Sequence, residues 1–439
     1  MTTVPVRYPR SEIVVTVGLA FTALFVAWVT WLTNTASYRE WAGPLIAVAV
    51  VVVSIPFLAR VARIENDPLL FRFLLLALVV KLFVAIVRHF LAFEVYDVAD
   101  AVVYNREGTL LAEQFRDLNF DVSSLPTLKD TDFIKLLTGI IYTFIGPTTW
   151  GGFVFFSWMS FWGSVLIHRA FVIGVPGGKV RTFDKLLFFL PSMLYWPASI
   201  GKEGWMLLGL GLATLGVAKI LTSRIVPGSL LLIVGLWFSW LVRPHVAGFI
   251  GIALAGAVLV KKPSESLRGL APLAKLVSTV IVFALAVVLA TQSTAFLDAS
   301  GIDTSGGVTG ALEDVTTRTE TGDSKYDAPS FTSPIFVPVA FVTVLYRPFL
   351  FEVHNTQVAA TALESLALLI FTVIRFRWLR AALTQIRKKP FVMYAFVYSA
   401  GTIVALASLG NFGLLARQRA LLFPLFLVFF AIPPKDKDA

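Results

Sequence analysis

The chain has 439 residues, of which 57% are hydrophobic and 15% charged, with a mean hydropathy of +0.80 and a formal net charge of +10. A soluble domain carries roughly 25% charged residues, so this composition excludes one and points to an all-helical polytopic membrane protein, a single transmembrane domain over 1–439. The basic excess, 37 Lys and Arg against 27 Asp and Glu, lies mostly in short loops between apolar segments, where it sets topology and meets membrane lipids; no nucleic acid partner is expected. Cysteine is absent, which rules out disulfides, thiolate metal sites and cysteine nucleophiles.

A membrane-crossing helix needs roughly 20 apolar residues. Candidates fall near 13–33, 42–59, 69–93, 149–172, 184–200, 204–222, 227–243, 246–260, 272–292, 357–379, 390–409 and 420–433, about twelve transmembrane helices in all. The first follows the basic MTTVPVRYPR and lacks a small-residue cleavage site, so it is read as a retained helix rather than a leader. Lys and Arg favour cytoplasmic loops. With the N-terminus inside, Arg7, Arg10, Arg60, Arg63, Arg169, Lys179, Arg181, Lys185, Lys219, Arg224, Lys261, Lys262, Arg268, Arg380, Arg387, Lys388, Lys389, Lys435 and Lys437 all fall on that side, and both termini are cytoplasmic. The expected location is the cytoplasmic (inner) membrane, crossed many times.

Two apolar stretches, 133–147 and 334–351, do not fit this count as spans and are read as re-entrant or interfacial half-helices. They belong to two long outer loops, 94–148 and 293–355. The second is rich in Gly, Ser, Thr and acids, namely Asp298, Asp303, Glu313, Asp314, Glu320, Asp323 and Asp327, and reads as a mobile lid.

On this topology the unusual polar residues share the outer face. The first loop carries Asp97, Asp100 and Tyr104; Lys202 and Glu203 stand in ASIGKEGW, Arg243 and His245 in LVRPH, Arg347, Glu352, His354 and Asn355 in YRPFLFEVHN, and Asn411, Arg417 and Arg419 in NFGLLARQRA. Basic residues placed against the topological bias at several helix ends suggest a site. Arg and Lys of this kind suit the phosphate or diphosphate of a lipid whose tail lies in the bilayer, and a carboxylate beside them suits a general base on an acceptor hydroxyl. Each cluster also has an ordinary reading. Asp97 or Asp100 can cap the helix that follows, Lys202 and Glu203 can form a simple ion pair, Arg243 can snorkel, and Arg417 and Arg419 can meet lipid headgroups. Lys81 and Glu364 fall inside spans, where Glu364 is a candidate partner for Lys81; such a pair suits a transporter. The chain has no P-loop, GxGxxG, HExxH or zinc spacing, and its four histidines, 89, 168, 245 and 354, are too scattered to argue a metal centre. No inner loop is long enough to fold a nucleotide-using domain, so no nucleotide cofactor is expected.

Taken together, YDVADAVVYNREGTLLAEQF, PSMLYWPASIGKEGWMLLGLGL, LVRPH, LYRPFLFEVHN and NFGLLARQRALLFPL resemble the GT-C superfamily of polyprenyl-phosphate-dependent glycosyltransferases, including O-antigen and exopolysaccharide polymerase- and ligase-like membrane proteins. The likeness covers most of the chain beyond residue 90, through loose motifs. It implies a base or acceptor-binding Asp in the early outer loop, matched by Asp97 or Asp100, and outer residues holding the lipid diphosphate, matched by Arg243, His245, Arg347, Arg417 and Arg419. In that superfamily the acidic loop follows the first helix; here it follows the third, as two extra N-terminal helices would produce. Divalent-metal dependence is left open, because members differ. The expected activity is transfer of a sugar or oligosaccharide from a polyprenyl-(di)phosphate-linked donor to a glycan or glycolipid acceptor on the outer face, in cell-envelope polysaccharide or glycolipid assembly. The alternative is a transporter or flippase for a lipid-linked or anionic substrate.

Overall fold

A computed structural model describes residues 37–95, 100–261, 324–329 and 335–434, with scattered residues at 19–35, 276 and 315–319. The predicted spans 13–33, in most of its length, and 272–292, apart from one residue, lie outside the described residues, as does most of the second outer loop.

In chain order the helices are α1 (Tyr38–Ile64), α2 (Pro68–Phe90), α3 (Asp100–Arg116), α4 (Asp130–Ile145), α5 (Thr149–Gly174), α6 (Val180–Phe189), α7 (Pro191–Tyr195), α8 (Lys202–Leu221), α9 (Ile225–Val242), α10 (Pro244–Val260), α11 (Phe336–Tyr346), α12 (Thr356–Ile374), α13 (Phe376–Gln385), α14 (Pro390–Leu406) and α15 (Phe412–Phe426). Among the described residues there is no strand, and seven helices are long and apolar enough to cross a membrane, or eight if the bent pair α13 and α14 is one span. That architecture is a polytopic membrane protein. The interior is built by α5, α8 and α15, which are mostly buried, whereas α1, α9 and α12 turn Val, Leu and Ile outward, as lipid-facing helices do.

Small residues let the interior helices touch. A Cβ on Gly163 of α5 would stand 2.4 Å from the Leu207 carbonyl oxygen of α8, and one on Gly235 of α9 2.3 Å from the Ala213 nitrogen of α8. Between lipid tails apolar burial gives helices no net attraction, so van der Waals contact at this range holds them together.

Two predicted elements take a different form. The segment 184–200 is broken, because Pro191 has no N–H to continue α6 and forces Leu190 into an extended conformation (φ −63°, ψ 130°). The resulting five-residue α7 is held at both ends from other helices. Glu364 of α12 accepts from the Ser192 backbone N–H (3.1 Å) and hydroxyl (2.6 Å), while Lys81 of α2 donates to the carbonyls of Met193 (2.6 Å) and Leu194 (3.1 Å). The expected Lys81 to Glu364 pair is therefore replaced by two separate caps on one short helix. A carboxylate at the amide end and an ammonium at the carbonyl end each satisfy groups that a short helix leaves orphaned. The stretches 133–147 and 334–351 form α4 and α11, both shorter than the candidate spans.

The loops grouped on the basic face meet. His168 at the end of α5 lies between Asp184 of α6 (2.6 Å) and Glu65 after α1 (3.0 Å), Arg169 also reaches Glu65 (3.1 Å), and Arg181 pairs with Asp67 (2.6 Å).

Candidate functional site

The acidic stretch that opens the first long loop becomes a helical hairpin. Ala101, Tyr104, Gly108, Leu111, Ala112 and Phe115 recur at three- and four-residue spacing and form the buried face of α3, which lies along α4. The Tyr142 hydroxyl donates to Asn105 Oδ1 (2.7 Å), and the Arg116 guanidinium donates to the Tyr142 carbonyl (2.9 Å) and Thr143 carbonyl (3.2 Å). This pairing fixes both acidic helix starts, Asp100 and Asp130, beside the start of α8.

There the charges form one network. Glu203, in the first turn of α8 and 1% exposed, takes Arg243 of the α9–α10 corner at 3.1 Å and Arg417 of α15 at 2.7 Å, both on Oε1. Arg417 reaches on to Asp100 Oδ2 (2.6 Å), and Lys202 pairs with Asp130 (2.7 Å). Lys202 and Glu203 thus do not pair with each other; adjacent helical residues point in different directions, and each meets a different helix. The Asp100 side chain begins α3 and goes to Arg417. Tyr104 faces the same group. Burial first, then the charges of Asp100 and Glu203, hold its phenol above the ordinary range, so it stays a protonated donor. His245 opens α10 next to Arg243, with its ring 6.3 Å from Phe249.

The other predicted residues lie on the second side of α15. Arg417 and Arg419 are two apart on that helix and diverge: Arg419 is buried and donates to Ser365 Oγ (3.0 Å) and to the Arg347 carbonyl. Arg347 forms a forked pair with Glu352, and its guanidinium lies 4.5 Å from the Tyr326 ring and 5.4 Å from Phe412. Those two rings stack at 4.2 Å, and the backbones join them: Tyr326 N–H donates to Gly410 (2.8 Å) and Phe412 N–H to Ser324 (2.9 Å). Residues 324–326 of the second long loop are thereby pinned to the start of α15. Asn355 and Asn411 cap α12 and α15 through their side-chain oxygens, and His354 is exposed, bonding the Glu352 carbonyl (2.9 Å).

Compared with known proteins, the chain matches no family model, no curated protein and no solved structure.

Of the predicted site, Asp100, Tyr104, Lys202, Glu203, Arg243, His245 and Arg417 come together, while Arg347, Glu352, Asn355, Asn411 and Arg419 form a separate set across α15. Asp97 lies outside the described residues. Sequence reasoning missed Asp130, whose φ of 52° places a non-glycine residue in the left-handed region. Its presence in the same acidic loop as Asp100 was the one available signal. Among the described residues no three His, Asp or Glu side chains are grouped as a metal ion requires. Each of Lys202, Arg243, Arg347 and Arg417 already faces a carboxylate. A phosphate would bind by exchanging with one, and the exposed Asp100, 58% accessible at its side chain, is the cheapest to release.

Proposed function

We propose that this protein is a GT-C-like glycosyltransferase of the cytoplasmic membrane. In this reading it has about twelve spans, both termini inside and the α3, α4, α8, α10 and α15 cluster facing outward. It moves a sugar or oligosaccharide from a polyprenyl-(di)phosphate donor to a glycan or glycolipid acceptor. The observation that supports it is the exposed Asp100 bound to Arg417 at the mouth of a buried charge network in a strongly apolar protein. The donor phosphate exchanges for Asp100 on Arg417, and for Asp130 on Lys202. The freed Asp100 takes the proton of the acceptor hydroxyl as it attacks the sugar's anomeric carbon, and the phosphate leaves with its charge held by Arg417, Lys202 and Arg243. Arg347 and Arg419 belong to the support of α15 in this scheme.

Asp100→Asn, expressed at wild-type level, is expected to lower transfer from a polyprenyl-linked donor about 100-fold or more, the usual scale of a general base. Asp97→Asn is the parallel test, and full transfer by both variants would remove the base assignment. A second reading, a transporter for a lipid-linked or anionic substrate, draws on the broken α6 and α7 held by Lys81 and Glu364. Uptake of labelled substrate into proteoliposomes without any glycosyl transfer would favour it.

A further inference from the structure

The segment from Trp196 to Gly201 is buried yet irregular, and in a membrane protein such backbone is found only packed inside protein or lining a polar cavity. It leads into α8 through Gly201, and no side chain caps that helix. Among the described residues none accepts a hydrogen bond from the backbone N–H of Ser199, Ile200 or Gly201. Ser199 is 9% exposed and its hydroxyl likewise makes no hydrogen bond to the described residues. Gly201 leaves room for a methyl-sized group: the three atoms nearest to a Cβ there are Glu203 Oε2 at 3.5 Å, Arg417 Nη2 at 3.8 Å and Ser199 Oγ at 3.9 Å. Both ion pairs of Glu203 use Oε1, so Oε2 is the oxygen turned to this niche.

We propose that the niche beside Gly201 is a hydroxyl-binding subsite that takes one hydroxyl of a neutral polyol, a sugar, rather than a phosphate. Donors and an acceptor share one small space. A hydroxyl uses both, donating to Glu203 Oε2 and accepting from Arg417 Nη2 or a backbone N–H, whereas a phosphate oxygen would face the carboxylate. Charge points the same way, because Lys202, Arg243 and Arg417 are matched by Asp130, Glu203 and Asp100, and a group entering the niche meets no uncompensated positive field. The inference deepens the glycosyl-transfer reading, on which it rests for calling the sugar a substrate. In that scheme the phosphate sits at the exposed edge on Arg417 and Lys202, with the sugar hydroxyl below it.

The test uses the full chain in lipid nanodiscs free of glycosidic detergent. Binding is measured for short-chain alkyl gluco-, galacto- and mannopyranosides, for the alcohol of the same chain, and for its phosphate ester. At least one glycoside is expected to bind above the alcohol, and Gly201→Ala to weaken it roughly ten- to hundredfold by filling the niche, the scale of a lost hydrogen bond to a charged group. The fold of Gly201→Ala is expected to hold, since the added methyl makes only ordinary contacts and the backbone there is extended (φ 166°). Ser199→Ala, a second variant that removes volume, is expected to weaken the same glycoside about threefold or more. Equal binding of glycosides and alcohol, an unchanged affinity in both variants, or a phosphate ester that binds more tightly and is the ligand lost in Gly201→Ala would each overturn the proposal. Gly201-dependent glycoside binding without any transfer leaves the subsite standing and removes the transferase; transfer that survives in Gly201→Ala with unchanged glycoside affinity does the reverse.

Discussion

Glu203→Ala is expected to destabilise the protein by about 3–5 kcal/mol, the cost of breaking a buried ion pair from one side. The carboxylate is 1% exposed and holds two guanidiniums from different parts of the chain, Arg243 at the α9–α10 corner and Arg417 on α15. Its removal leaves Arg243, itself 8% exposed, beside a second cation with no counter-charge. Asp100→Asn provides the comparison, since the same Arg417 loses a partner whose side chain is 58% exposed and solvent replaces it at a cost of about 1 kcal/mol or less. Thermal unfolding of both variants in one detergent checks the contrast. Equal melting temperatures for Glu203→Ala and the wild type would mean that the network does not join these helices.

Gly211→Leu is expected to cost about 3 kcal/mol or more and to reduce the folded yield, because the clash is with backbone and no rotamer relieves it. A Cβ on Gly211 of α8 would lie 2.4 Å from the Gly163 carbonyl oxygen and 2.9 Å from its Cα on α5, so the two helices would have to separate along their contact. Gly256→Ala on α10 is the matched control. There the nearest atom is the Val397 Cγ2 side-chain carbon at 3.2 Å, which can turn aside, and the loss is expected to stay within about 1 kcal/mol. Size-exclusion profiles and thermal unfolding distinguish the two; a Gly211→Leu protein as stable as Gly256→Ala would show that α5 and α8 are not in close contact.

The helices legible in the sequence are the uninterrupted apolar runs: α1, α2, α5, α8, α9, α10 and α14 start and stop within a few residues of the predicted segments. The reading of 184–200 as one span fails because apolar content does not register a missing backbone donor, and Pro191 breaks the helix inside an apolar stretch. Lys81 and Glu364 illustrate the same limit on the side of charge. Their opposite signs suggest a pair, but an orphaned carbonyl or amide also offers a buried polar head a hydrogen-bond partner, and backbone ends are invisible to a list of side chains. At the site, the clusters in the loop after α2, ASIGKEGW, LVRPH and LLARQRA converge, while YRPFLFEVHN does not, since Arg417 and Arg419 project to opposite sides of α15.

By itself, then, the sequence determined the solvent. Its apolar runs cost too much free energy in water and too little in lipid for any architecture other than membrane-crossing helices, and most of its charges fall between those runs. Which charge answers which follows from how the helices cross. Lys202 meets Asp130 and Arg417 joins Glu203 to Asp100, through contacts made 72 to 317 residues apart in the chain, and Arg417 also comes to the niche beside Gly201. Side-chain pairing at that separation follows from how helices cross, and helix crossing is set by small residues such as Gly163 and Gly211, whose partners no local pattern names.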